Sequence, residues 1–272
     1  MSHKINETMK TKLLFTVFFL LTICLSKAQM DDKFYQPSKE MKPLEFSNPL
    51  FIALPVENDT ITVVILKPPT NNIKKTILFF HGANGNISTY QYITKPLVEN
   101  GFQVVMIDFR GYGKSTGKPT HVNVAADGQK IFDFLLSKPE IKNTKIYIYG
   151  ASLGSQIATH LARENKDKIS GLIIDGGMSS FADIAAVHAP QYKDFINQML
   201  QNVYSAKEDI KFTQGLPKLF IYSKNDEIIP FSQGQEIFDN ASEPKQFLEN
   251  TSDHIQGLKD EPKEILKAID NL

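Results

Sequence analysis

Short apolar runs recur along this chain, and most are the length of strands. Leu50 to Leu54 and Thr60 to Leu66 alternate or run apolar with β-branched residues, which predicts a leading antiparallel pair turning at Asn58-Asp59. Thr76 to Phe80 is apolar throughout, the pattern of a central strand covered on both faces. Gln103 to Asp108, Ile146 to Tyr149, Ser170 to Asp175, Leu219 to Tyr222 and Lys245 to Leu248 read as further strands. Helical patterns lie between them. Ser88 to Asn100 closes at Gly101, Val122 to Leu136 buries Ile131, Phe132, Phe134 and Leu135, and a third follows residue 152 with Ile157 and Leu161 four positions apart. A short helix around Gly234 to Asp239 and an amphipathic tail from Ile255 to Leu272 complete the set. Strands alternating with helices imply parallel strands joined by right-handed crossovers. The predicted fold class is therefore α/β, a mostly parallel central sheet of about eight strands with helices on both faces.

Two segments break the alternation. Gln29 to Asn48 is polar, carries Pro37 and Pro43, and reads as an extended entry segment wrapping the domain. Residues 179–215 hold Phe181, His188, Tyr192, Phe195, Met199 and Tyr204, with Pro190 between helical pieces, and read as a short helical lid over the site.

The first residues have a different character. Lys4, Lys10 and Lys12 precede an apolar run from Leu13 to Leu25, and Ser26-Lys27-Ala28 follows. This is the layout of a signal peptide over 1–28, cleaved after Ala28, with the folded domain over 29–272. A retained membrane anchor is the alternative, for which the apolar run is short. Lipidation at Cys24 is disfavoured by Ile23 before it. The expected location is the periplasm or the exterior, with no membrane span after leader removal. Cleavage takes away the only cysteine, which excludes thiol chemistry and disulfides, and leaves a chain about three charges negative. With no basic stripe, nucleic acid is not an expected partner. An apolar content of 42% is that of a chain with a core to bury.

The candidate chemistry centres on Gly150-Ala151-Ser152-Leu153-Gly154, placed between a strand and a helix. A serine at such a turn is held in a strained conformation with its hydroxyl projecting from the sheet edge. Its hydroxyl is a poor nucleophile until a base takes the proton, and the base needs an acid to orient it. Of the six histidines, His254 sits in a polar loop after the last strand, from which its ring can reach Ser152. His81 is fixed beside Gly82 and shapes that loop, His121 precedes a helix as a terminus residue, and His160 lies on the helix after Ser152 as a surface or packing residue. Asp226 follows the penultimate strand and is the expected acid, with Asp175 the rival. An oxyanion needs two backbone N–H donors. Leu153 supplies one and Ala83 the other, with Asn84 the fallback. His81, Asn84, Phe181 and His188 are candidates for lining the substrate pocket.

With these residues in order, the chain from about Ile61 onward resembles the α/β-hydrolase superfamily. The resemblance rests on H-G-A-N-G-N from His81, D-F-R-G-Y-G-K-S from Asp108, G-A-S-L-G from Gly150, and the order Ser152, Asp226, His254. It is similar to the small-lid branch that holds serine-aminopeptidase-like and bud-emergence-like proteins. The resemblance implies acyl transfer to water through a serine ester. It leaves three readings: an esterase acting on a small-molecule acyl substrate, a peptidase acting on short peptides or aminoacyl amides, and a non-catalytic binding protein on the same fold. No metal or other cofactor is expected, since the sequence has neither a ligand-spaced His/Asp cluster nor a phosphate-binding glycine loop. Oligomeric state is not legible in the sequence.

Overall fold

The computed structural model describes residues 31–70, 73 and 75–272. The leader expected over 1–28 lies outside the described residues. Eight strands form one sheet: β1 (Leu50–Val56), β2 (Asp59–Leu66), β3 (Lys75–Phe80), β4 (Gln103–Ile107), β5 (Lys145–Ala151), β6 (Gly171–Asp175), β7 (Lys218–Ser223) and β8 (Lys245–Asn250). Their spatial order is β8-β7-β6-β5-β3-β4-β2-β1. β1 pairs with β2, and β2 with β4, antiparallel; every other pairing in the sheet is parallel. This is the architecture expected from the alternating pattern.

Strand alternation explains how the sheet is covered on both sides, because successive side chains leave a strand on opposite faces. Ile146 and Ile148 of β5 join Leu78, Phe80, Leu172 and Phe220 in one apolar layer. Tyr147 and Tyr149 join Phe79, Met106, Ile173 and Ile221 in the other. Helices α2 (His121–Leu136) and α3 (Gly154–Asn165) cover the first layer, and α1 (Gln91–Glu99) covers the second. Helix α2 starts where it does because Thr120 and Asn123 form a reciprocal capping box. Truncating a ring such as Phe80 to alanine would leave a core cavity costing about 3–5 kcal/mol.

Helices α4 (Phe181–His188) and α5 (Lys193–Leu200) form the excursion after β6. Helix α6 (Phe231–Asn240) then leads into β8. Two expectations are corrected. The first hairpin turns at Glu57–Asn58, with Val56 paired to Asp59, rather than at Asn58-Asp59. Glu57 takes φ +56°, and its carboxylate is held by Arg110 and Lys130. The tail is a short turn, Gly257–Asp260, followed by α7 (Pro262–Asp270), not one helix. Pro262 has no N–H to continue a helix from the preceding turn, so the chain restarts there.

Arg110 clamps this end of the domain. Its Nε and Nη2 donate to the two oxygens of buried Asp127 at 2.7 and 2.9 Å, and its Nη1 donates to Asp59 at 2.8 Å. The clamp ties the β1–β2 hairpin to α2. The entry segment is stitched to the loop after β3: Gln36–Pro37 pairs parallel with Asn84–Gly85, and the Asn86 amide donates to Ser38 O and Glu40 O.

Candidate active site

Register places the functional loops together. Phe80 of β3 lies level with Ile107 of β4 and Gly150 of β5, and Ala151 lies level with Asp175 of β6. The carboxyl ends of the central strands therefore form one edge, where ligands gather in sheets of this kind.

Ser152 is the residue at that edge with φ +53°, left-handed backbone that a non-glycine residue adopts only when its surroundings enforce it. They do so through contact. The Ser152 N–H donates to Asp175 O at 2.8 Å. A Cβ on Gly150 would meet the Ser155 Cα at 2.5 Å, and one on Gly154 would meet the Phe80 carbonyl oxygen at 2.2 Å. Only glycine lets helix α3 start so close to β3.

The three residues expected to act together do converge. His254 Nε2 lies 2.9 Å from Ser152 Oγ, and His254 Nδ1 lies 2.6 Å from Asp226 Oδ2. Asp226 Oδ1 accepts the N–H groups of Ile228 and Ile229, both at 2.9 Å, and its side chain is 1% exposed. The carboxylate is thus fixed in orientation before it meets the imidazole. With Nδ1–H donating to Asp226, Nε2 presents a lone pair to the serine hydroxyl. Asp175, the rival, faces elsewhere: its Oδ2 accepts from Tyr149 Oη at 2.6 Å. Burial pushes its carboxyl up to about 6.

Ala83 and Leu153 flank Ser152, and among the described residues neither backbone N–H donates to a protein acceptor. The Ala83 loop is held from behind. Tyr112 Oη donates to Ala83 O at 2.6 Å while accepting Gln36 N–H at 2.9 Å. Tyr90 Oη donates to Asn84 O at 3.0 Å. Tyr112 was visible in the sequence only as the aromatic inside R-G-Y-G, and Tyr90 carries no motif signal at all.

Two pocket candidates are misplaced by sequence reasoning. His81 is fully buried: its Nδ1–H donates to Gly82 O at 2.7 Å, its Nε2 faces the Phe109 N–H at 3.4 Å, and burial lowers it to about 4. It supports the loop and lines neither hollow at Ser152. Phe181 packs edge-on against Phe34 and Tyr204, inside the core rather than in the pocket. Asn84 and His188 do face the space around Ser152. That space has two arms. One, of about 780 Å³, is lined by polar groups including Asn84, Asn225 and His254. The other, of about 650 Å³, is walled by Met178, Ile184, Phe195 and Ile229. Lys33, Phe34 and Gln36 of the entry segment also reach the second arm. Contrary to the sequence expectation, the entry segment is not extended throughout: residues 31–34 form a helical turn before Gln36–Pro37, too short a stretch to leave a periodic pattern in the sequence.

The family model described as serine aminopeptidase, S33, matches residues 71–208, half of the chain. The chain belongs to this family of α/β hydrolases. It is 31% identical over 168 residues to the bem46 protein of Schizosaccharomyces pombe, covering 61% of this chain and 56% of that one. It is 29% identical over 194 residues to the uncharacterized protein YfhR of Escherichia coli K12, covering 71% and 67%. Among solved structures, the Pyrococcus furiosus esterase Pf2001 superposes with a TM-score of 0.70 at 17% identity, covering 88% of this chain and 96% of that one. At that identity the likeness is one of fold. The family match leaves out Asp226 and His254, which lie beyond residue 208. Their part in the site rests on the geometry.

Proposed function

We propose that this α/β hydrolase is an exported serine hydrolase that cleaves carboxylic esters through an acyl-enzyme on Ser152. The observation that carries the reading is the hydrogen-bonded line from Ser152 Oγ through the His254 ring to Asp226. Such a line moves a proton off a hydroxyl that would otherwise be a weak nucleophile.

In the first step His254 Nε2 takes the Ser152 proton as Oγ attacks the carbonyl carbon. The N–H groups of Ala83 and Leu153 receive the developing oxyanion, each such donor contributing about 3–4 kcal/mol to the transition state. Nε2 then gives its proton to the leaving oxygen as the C–O bond breaks. Water repeats the sequence and releases the acid, restoring the serine. Asp226 holds the proton-bearing Nδ1 throughout.

Ester hydrolysis by the purified protein, compared with Ser152→Ala of unchanged circular dichroism, tests the reading. Loss of turnover in the variant is expected; full activity in the variant overturns it. A parallel panel of aminoacyl amides should be turned over more slowly than esters. Export is part of the proposal and rests on the pattern of 1–28. Intact mass of the periplasmic protein should correspond to a chain starting at Gln29.

A further inference from the structure

The two arms at Ser152 differ in chemistry, and the line of proton transfer decides which part of a substrate each would take. Both arms share Ala83, Ser152 and Ile228, so they meet at the reacting atoms. His254 lines the polar arm and not the apolar one. Leu153, the expected oxyanion donor, lines the apolar arm alone. The imidazole must hand its proton to the leaving oxygen, so the leaving group lies on the His254 side. The acyl group then lies in the other arm.

We propose that the substrate is an ester of an apolar acyl chain with a hydrophilic, non-anionic alcohol, the acyl chain lying under α4 and α5 and the alcohol in the polar arm. This rests on the serine-hydrolase reading above. The apolar arm has walls of Phe34, Met178, Ile184, Ile196 and Ile229, and Tyr192, Phe195 and Ile228 at its lining are each more than half exposed. Exposed apolar side chains continuous with a partly open, mostly apolar hollow suit a chain longer than acetyl, which removes that surface from water. Among the described residues, the polar arm is lined by Glu227, Asp253 and Asp260 against the single ammonium of Lys259. An anionic alcohol meets net repulsion there, whereas a polyol or a cationic alcohol does not. Tyr92, Asn225 and Gln256 add hydrogen-bonding groups for hydroxyls.

The step balances without a co-reactant. Ser152 Oγ forms a bond to the carbonyl carbon, the alcohol oxygen leaves with the proton from His254, and water supplies the oxygen and proton for release of the acid.

The test is a matrix of esters on the purified protein: acetyl and octanoyl, each joined to glycerol, choline and glycolate. Octanoyl glycerol should exceed acetyl glycerol in kcat/KM by at least tenfold. For one acyl group, glycerol and choline esters should exceed glycolate esters by at least tenfold. Ala185→Trp, which fills the apolar arm, should lower octanoyl turnover at least tenfold more than acetyl turnover. Glu227→Lys should narrow the choline-to-glycolate ratio and leave the chain-length ratio in place. Each preparation is titrated with a fluorophosphonate. Stoichiometric labelling with no chain-length preference, or with the preference moved by Glu227→Lys and not by Ala185→Trp, overturns the assignment of the arms and leaves the serine hydrolase standing. Absence of labelling overturns both.

Discussion

His254 Nδ1 lies 2.6 Å from Asp226 Oδ2, while the other carboxylate oxygen is taken by two backbone N–H groups. The aspartate therefore cannot turn away from the ring without abandoning the Ile228 and Ile229 N–H groups. Asp226→Asn keeps the shape and reverses the chemistry, because an amide nitrogen facing Nδ1 favours the tautomer with its proton on Nε2. That tautomer cannot accept from Ser152. We expect kcat for a favoured ester to fall by about 10⁴ with KM little changed. Steady-state kinetics check it, and retention of a tenth or more of the activity would remove Asp226 from the role.

Gly154 is confined by the Phe80 and His81 carbonyl oxygens, which a Cβ would approach to 2.2 and 2.7 Å. Backbone cannot yield as a flexible side chain can. Gly154→Ala should destabilise the protein by about 2–3 kcal/mol, read from urea denaturation. It should also lower kcat in the fraction that stays folded, because the strained segment runs directly into the Ala83 loop.

Arg110→Met leaves Asp127 buried with an uncompensated charge. The expected loss is about 3–5 kcal/mol. Adding Asp127→Leu should recover most of it, since the pair then leaves together. A double variant no more stable than the single one would show that the arginine acts through Asp59 and Glu57 instead.

His81 offers a test in acid. Its folded imidazole titrates near 4, below its unfolded value, because burial disfavours the cation. As pH falls from 6.5 toward 4 the unfolded chain takes up the proton first, so stability is lost through that window and is fully present above it. Between pH 7 and pH 4 the stability difference between wild type and His81→Asn should shift against the wild type by about 3 kcal/mol. The raised carboxyl of Asp175 acts in the opposite sense in both proteins and drops out of the difference. Asp108, also raised, does not drop out, because its Oδ1 lies 4.0 Å from His81 Nε2; it is removed by making the comparison in an Asp108→Asn background. Equilibrium denaturation at the two pH values measures it; a constant difference would contradict it.

The strands were legible because central ones are buried on both faces, so Ile77 to Phe80 and Gly171 to Ile174 had no polar positions to blur them. Ser152, Asp226 and His254 were legible because each follows a strand end, and a parallel sheet brings those ends to one edge. What failed depended on partners remote in sequence. Glu57 turns where it does beside Arg110 and Lys130. Phe181 opens a lid helix, and nothing local tells whether an aromatic there faces substrate space or the rings of Phe34 and Tyr204. His81 beside a glycine turn reads alike as pocket or support. Its contact with Phe109 decides, and that contact is a tertiary one. The break at Pro262 was readable from the proline itself.

The central claim is that Ser152 is activated by its neighbours. The direct measurement is reaction of the purified protein with a fluorophosphonate, read by intact mass beside Ser152→Ala. One adduct per chain should form in the wild type and none in the variant. A folded wild type that takes up no reagent, or a variant that labels as well, would contradict that claim.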